Sequence, residues 1–449
     1  MPAVLDRLIE RPRDKHHEAR RHATAYKVLA VFALIALVMQ TSMLFLSLFE
    51  QPLPYAIKDP GPESIDSPQF LQVLAAQTGG ALTHNNRIDV LANGDTFYAA
   101  ELAAIRSAQS FVHIECYIFQ KGRVTDEFLN ALEERAQAGV QVDLVIDAIG
   151  STAFRDSRFD RLRQLGGRVA WYHPLRWYSW PRINNRTHRE LVIVDGKVGF
   201  AGGAGFADQW LYGAGKDPRW RDTMVRVEGE GASGLEATFD ENWLEASGEM
   251  LIDPKYLPFE PGGGTSIALA VTSSPTSGRS TEARVLFQAL LAKAAHSIHI
   301  TNPYFLPDRS LREELGKAIR ERHVDVTILV PGAKNDHLLT RRSSRNLYGD
   351  LLLAGARIFE YQPSMIHAKI TLVDGSWAVV GSTNLDSRSF GLNDEVNVAI
   401  PDRTVTARLE SDFQNDLRSS RRISYDQWKH RPWWEKLQEK FGWLLENQE

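Results

Sequence analysis

Two short stretches of this chain carry residue types suited to phosphorus chemistry, at matching spacing. One is His188-Arg-Glu190-Leu-Val-Ile-Val-Asp195-Gly; the other, 179 residues further on, is His367-Ala-Lys369-Ile-Thr-Leu-Val-Asp374-Gly. Residues two apart on a strand project to one face, so His367 and Lys369 can converge on a single phosphate. A neutral imidazole nitrogen attacks phosphorus, and an ammonium beside it neutralises the non-bridging oxygens. Two such stretches packed together would supply one histidine to attack and another to protonate the leaving alcohol. This chemistry calls for no metal and no cofactor, because its cations are side chains.

The two copies agree well beyond the histidines. Fourteen residues after each His comes a turn of small residues, Gly202-Gly203-Ala204-Gly205 in the first and Gly381-Ser382-Thr383-Asn384 in the second. Downstream, Asp222 and Glu395 each open an alternating apolar strand, and upstream the runs 111–119 and 298–305 correspond. Four blocks recurring in one order make an internal repeat.

The first copy departs at two places that should face phosphate. Glu190 stands opposite Lys369, and Gly205 opposite Asn384. Charges about 4 Å apart interact by roughly 4 kcal/mol at an effective dielectric near 20, so an ionised Glu190 would oppose phosphate. Three resolutions are open: Glu190 is protonated, it pairs with Lys369 across the halves, or Arg186 or Arg221 cancels it.

On these residues, the segment from about Ile88 to the C-terminus resembles the phospholipase D superfamily, and within it the bacterial cardiolipin synthases. The family's mark is H-x-K-x4-D followed by a Gly/Ser-rich turn carrying Asn. His367, Lys369, Asp374, Gly381, Ser382 and Asn384 match it position for position. Nearer to the synthases are Trp220-Arg-Asp-Thr, Asn302-Pro-Tyr-Phe-Leu-Pro-Asp308, Tyr361-Gln-Pro and Ser387-Arg-Ser-Phe.

The resemblance implies an α/β fold: two similar α/β/α halves with mixed, largely parallel sheets around one active site at their interface. It implies His188 as nucleophile, a phosphohistidine intermediate, and His367 as general acid and then base. Lys369 and Asn384 would hold phosphate oxygens with Ser382 assisting, and Glu190 would line the substrate. Asp195 and Asp374 are expected to orient the histidines, and Glu395 and Asp222 to do so from the neighbouring strand. The implied activity is a membrane-anchored phosphatidyltransferase acting on phospholipid, with phosphatidylglycerol as substrate. A phospholipase D hydrolase, an extracytoplasmic nuclease or phosphodiesterase, and a lipid-binding homologue weakened by Glu190 and Gly205 stay open.

The elements that must position these residues read as strand and helix in alternation. Strands fall at 88–91, 110–119 and 140–147, with helices at 95–107 and 125–138. In the second half, helices at 283–295 and 311–322 accompany strands at 297–301, 324–330, 357–361, 369–373 and 377–381. The organisation is a basic segment 1–26, an apolar anchor 27–49, a proline-bearing linker 50–85, a first half 86–260, a second half 261–425, and an amphipathic C-terminal helix 426–449.

At 449 residues and a net charge of -4, the chain carries no broad basic field, which argues against a nucleic-acid partner. Cys116, the only cysteine, excludes an intrachain disulfide and a Cys-based zinc site. The run 27–49 reaches roughly 35 Å as a helix, enough for a single membrane span. Arg11, Arg13, Lys15, Arg20 and Arg21 precede it and Glu50 follows, so the N-terminus is expected in the cytoplasm and the catalytic part across the membrane. Trp433, Trp434, Leu437, Phe441, Trp443, Leu444 and Leu445 fall largely on one helical stripe. Such a helix lies in a membrane interface or caps the core. Trp177, Tyr178 and Trp180, among the arginines of 176–186, are expected at the mouth of the site.

Overall fold

A computed structural model describes residues 26–42, 55–61, 63–176, 184–213, 215, 217–275 and 281–446. The chain divides into two compact units, residues 1–53 with Gln448, and residues 54–447 with Glu449. In the first unit a helix runs over residues 26–42. Among the described residues no helix is long and apolar enough to cross a membrane, so the expected span over 27–49 has no support in the structure. Residues 43–49 and the basic flank lie outside the described residues, as do Trp177, Tyr178 and Trp180.

The second unit is built on one 16-stranded sheet. Its first half contributes β1 (Ala81–Ala92), β2 (Phe111–Cys116), β3 (Gln141–Asp147), β4 (Arg168–Tyr172), β5 (Arg186–Thr187), β6 (Leu191–Val194), β7 (Val198–Gly202) and β8 (Thr223–Glu228). The second contributes β9 (Ser266–Ser273), β10 (Ser297–Thr301), β11 (Asp325–Pro331), β12 (Arg357–Tyr361), β13 (Ile370–Val373), β14 (Trp377–Gly381), β15 (Asn393–Ile400) and β16 (Ser420–Ile423). The order is β16-β12-β11-β10-β13-β14-β15-β9-β1-β8-β7-β6-β2-β3-β4, with β5 added to β15. From the β9–β1 pairing outward, both directions repeat one sequence of strands, the repeat made three-dimensional.

The sheet is mixed, as expected, but not largely parallel. Only β2–β3, β3–β4, β10–β11, β11–β12 and the short β5–β15 contact run parallel; the other ten pairings are antiparallel. The cause lies in the motifs themselves. Each ends in Asp-Gly, and Asp195-Gly196 and Asp374-Gly375 all adopt positive φ, between 54° and 63°. Two consecutive left-handed residues turn the chain back sharply, and the register sets Val194 opposite Val198 and Val373 opposite Trp377, a three-residue loop in each hairpin. Lys197 N donates to Val194 O at 3.0 Å, and Ser376 N to Val373 O at 3.1 Å, closing β6–β7 and β13–β14.

Apolar side chains form three clusters. One lies in the first half among Phe97, Phe128, Leu144 and Phe206; another in the second half among Leu286, Leu290, Ile328 and Trp377. The third joins the halves, with Leu191, Ile193 and Val225 of one against Ile370, Leu372 and Val396 of the other. The segment expected as a linker is partly folded. Ser67 Oγ accepts from Phe70 N and starts the helix Pro68–Thr78, which packs on the second-half helix Glu282–Lys293. Its Phe70, Leu71 and Leu74 enter the second-half core, because their spacing of one, three and four residues puts them on one helix face.

Candidate active site

Backbone pairing brings the two motifs together by an exchange. β5, just before His188, pairs with the start of β15, and His188 N donates to Asp394 O at 2.9 Å. In the symmetric contact, His367 N donates to Arg221 O at 2.7 Å and Arg221 N to Met365 O at 2.8 Å. Each histidine is thereby set against the acid-bearing strand of the other half.

The side chains complete the exchange. His188 Nδ1 lies 3.1 Å from both oxygens of Glu395, and His367 Nδ1 lies 3.0 Å from Asp222 Oδ2. Ring nitrogens fixed in this way hold one tautomer and one orientation, leaving each Nε2 for chemistry. Burial pushes the Glu395 carboxyl up, but His188 and the Ser382 and Ser389 hydroxyls outweigh it and hold the group below its usual value. Asp222 behaves alike: burial raises it, and His367 and Lys369 bring it below. Both acids are therefore anions at neutral pH.

The surroundings differ between the histidines. Lys369 Nζ lies 2.9 Å from His367 Nδ1 and 3.2 Å from its Nε2, and 3.4 Å from Gly203 O. Burial and then the Lys369 charge hold His367 below the usual histidine range, against the pull of Asp222. Burial lowers Lys369 as well, opposed by Asp222, Glu395 and Glu190. Of two basic groups in contact only one keeps its proton, and the amine is the more basic. His367 is thus neutral beside an ammonium. Among the described residues His188 has no such neighbour; the ring of Tyr117 meets it edge-on at 5.4 Å, as Tyr304 meets His367 at 6.1 Å.

Glu190 is buried, with 3 % exposure, and burial pushes its carboxyl far above the usual range. It makes no ion pair with Lys369 among the described residues. Arg186 and Arg221 are engaged elsewhere, 3.4 Å from Asp147 and 3.0 Å from Asp416. Of the three resolutions open from sequence, protonation is the one the geometry meets. The two departures of the first motif are also one packing event. A Cβ at Gly205 would stand 3.0 Å from Glu190 Oε1 and 2.7 Å from Ile118 O, so no larger residue fits beside the folded-back Glu190.

The remaining expected residues separate into two groups. Asn384 is buried; its Oδ1, an acceptor, has no partner among the described residues, and only its Nδ2 group could donate to a phosphate oxygen. Ser382 Oγ is committed to Glu395 at 2.5 Å and to Val396 N at 3.0 Å, so it orients the acid and leaves phosphate to others.

Asp195 and Asp374 do not reach the histidines. Asp195 accepts the backbone N–H groups of Gln109, Ser110 and Phe111 at 2.7–2.9 Å, and Asp374 those of Ala295, His296 and Ser297 at 2.7–2.8 Å. They clamp the entry to β2 and β10 at the far end of the hairpin. The orienting role expected of them falls to Asp222 and Glu395, which lie 27 residues after Asp195 and 21 after Asp374.

Sequence reasoning missed a second repeated pair. His113 Nδ1 lies 2.6 Å from Glu236 Oε1 and its ring stacks on Phe239; His299 Nδ1 lies 2.8 Å from Glu410 Oε2 and stacks on Phe413. His299 reads as ordinary in isolation. The signal lay in Glu-x-x-Phe, Glu236 to Phe239 and Glu410 to Phe413, recurring late in each half.

Two pseudo-symmetric halves that trade acids across one pair of histidines define the phospholipase D type of enzyme. A family description, cardiolipin synthase, PLD-like domain, matches residues 102–243 and 287–417, more than half of the chain. The chain belongs to this family and is a phosphatidyltransferase of the phospholipase D type. It is 34 % identical over 366 residues to cardiolipin synthase 1 of Staphylococcus epidermidis, covering 81 % of this chain and 74 % of that one. The major cardiolipin synthase of Bacillus subtilis is 34 % identical over 390 residues, 85 % and 79 % of the two chains. Among solved structures, a phosphatidylserine synthase of Haemophilus influenzae shares the fold, with a TM-score of 0.60 at 15 % identity over 80 % of this chain and 94 % of that one.

Proposed function

We propose that this protein joins two phosphatidylglycerol molecules into cardiolipin and glycerol through a phosphohistidine. The observation that carries the mechanism is the exchange of acids, which fixes one imidazole of each half against an acid of the other half. His367, neutral beside Lys369, fits the nucleophile. Its Nε2 attacks phosphorus, the bond to the head-group glycerol breaks, and His188 gives that oxygen its proton. His188 then takes the proton of a second lipid's hydroxyl, whose oxygen attacks phosphorus and releases His367. Lys369 and Asn384 hold the non-bridging oxygens, while the neutral Glu190 adds no charge against them. This reverses the roles that the family resemblance implies, because the lysine lies in the second motif, beside His367.

Incubation of the purified chain with labelled phosphatidylglycerol, resolved by thin-layer chromatography, tests the activity. Cardiolipin with glycerol supports transfer; phosphatidic acid supports the hydrolase; no turnover from pH 4 to 9 sinks both. Protein quenched in alkaline detergent and digested for phosphohistidine tests the assignment, with the label expected on the peptide of His367. The reading includes attachment to a membrane by a single anchor over 27–49, with the catalytic unit outside the cytoplasm. The apolar run and its basic flank support it, and protease digestion of intact spheroplasts checks it.

A further inference from the structure

The last helix, Trp433–Glu446, is turned inside out. Among its described side chains, Glu435 and Glu439 face the protein while Trp433 and Trp434 face outward. Glu439 is 1 % exposed, gripped by Arg431 Nε at 2.7 Å and by Arg345 Nε at 3.3 Å, and Arg345 also lies 3.8 Å from Glu435. Arg345 is itself pinned by Glu360 of β12 at 2.5 Å. Glu435 and Glu439, four residues apart, thus fix which side of the helix faces inward. The opposite side presents Trp433 at 75 % exposure, Trp434 at 49 % and Leu437 at 61 %, with the exposed Lys440 at its edge.

Water is a poor partner for such a face, and a protein that wanted this helix only as a cap would have turned the tryptophans in. The helix packs on the helix Leu338–Asn346, whose Leu338 is likewise 53 % exposed. That second helix starts beside the catalytic site. The ring of His337 lies 5.8 Å from Tyr304, whose hydroxyl donates to Asp336 at 2.5 Å and whose ring covers His367. The helix that carries the outward apolar face thus packs on one that begins beside the approach to His367.

We propose that this helix pair is the surface by which the catalytic unit sits on a phospholipid bilayer, with Trp433, Trp434, Leu437 and Leu338 entering the interface. The proposal rests on the reading of the substrate as phospholipid. Tryptophan is favoured at the boundary between acyl chains and head groups, and Lys440 and Lys436 match anionic lipid there. The buried ion pairs supply what a peptide helix would lack, a fixed roll angle before the membrane is met.

The single native cysteine makes the test direct, because Cys116 is fully buried and a thiol reagent reaches only an introduced site. Full-length Trp434→Cys, carrying an environment-sensitive fluorophore, is added to vesicles of phosphatidylglycerol and phosphatidylethanolamine. Quenching by brominated acyl chains with shielding from iodide is the expected result, and Arg408→Cys should show the reverse. A label at 434 open to iodide and untouched by brominated lipid overturns the proposal. Shielding from both quenchers with a doubled mass overturns it in favour of a second copy. Replacing Trp433, Trp434 and Leu437 by serine should lower turnover on vesicles about tenfold or more and leave that on a dispersed short-chain phosphatidylglycerol unchanged. If the unaltered protein turns over neither substrate, the enzyme reading fails while the fluorescence still decides the surface.

Discussion

The second half places an ammonium beside its histidine where the first places a carboxyl, yet both histidines receive an acid from across the interface. The comparison separates what the proposed two-step transfer would demand of both copies from what it would demand of one. Both need an imidazole and a fixed tautomer. Only one has a neighbouring cation, Lys369, which here helps to make His367 the neutral partner.

The largest effects should come from breaking what the halves share. His367→Ala and His188→Ala are each expected to lower kcat at least about 10⁴-fold, and only the first should abolish the phosphohistidine peptide. A peptide lost in His188→Ala and kept in His367→Ala would return the nucleophile to the first half. Asp222→Asn and Glu395→Gln should follow, each costing about 10²–10³-fold in kcat with little change in fold, since each frees the tautomer of the opposite half's histidine. Equal activity in Asp222→Asn and the unaltered enzyme would sink the exchange.

Asp195→Ala and Asp374→Ala should act on stability instead. Three backbone N–H groups lose their acceptor in either case, so about 2–3 kcal/mol of unfolding free energy is expected to go, with kcat per folded molecule preserved. Urea unfolding beside activity corrected for the folded fraction checks it. Glu190→Gln sharpens the contrast between halves. It keeps the neutral shape, so activity near neutral pH should stay within about threefold. Ionisation of Glu190 adds a negative charge near phosphate as pH rises, so the alkaline fall in activity should move to higher pH in the amide variant.

The smallest effect concerns the repeated His–Glu pair. In the second half Gln414 donates to Glu410 at 2.7 Å; in the first half Asp240 stands four residues after Glu236, and burial and Glu236 push it up to about 7. A carboxyl raised in the folded state stabilises fully below its unfolded value and loses that contribution as pH climbs through about 7. Asp240→Gln, copying the second half, should leave the thermal midpoint unchanged near pH 4 and raise it by about 2 °C at pH 8.

The halves, the strands and the paired histidines were legible because repetition needs no knowledge of the fold. Asp222 and Glu395 were legible as acids opening strands, but their crossing to the opposite histidine was not. Periodicity reports which face a residue takes within its own sheet, and the exchange is made where β5 leaves its sheet to pair with β15. The Asp-Gly turn was written plainly at both motifs; assigning those aspartates to chemistry passed over the hairpin signal and with it the antiparallel half of the sheet. Phe70, Leu71 and Leu74 escaped notice because prolines before them suggested a linker, whereas Pro68 merely opens a helix. The inward turn of Glu439 could not be read from a stripe of tryptophans, since amphipathicity states that two faces differ and not which one meets the protein.

The crossing of acids also bears on how such a chain can change. In a dimer of identical subunits any substitution beside one histidine appears beside the other, so a single lysine could be surrendered only as a pair. Fusion of the two copies into one polypeptide removes that constraint while keeping each imidazole dependent on the distant half. Neither half can be active on its own, and either can diverge without its twin. Glu190 against Lys369 is the kind of difference that only a fused pair can inherit.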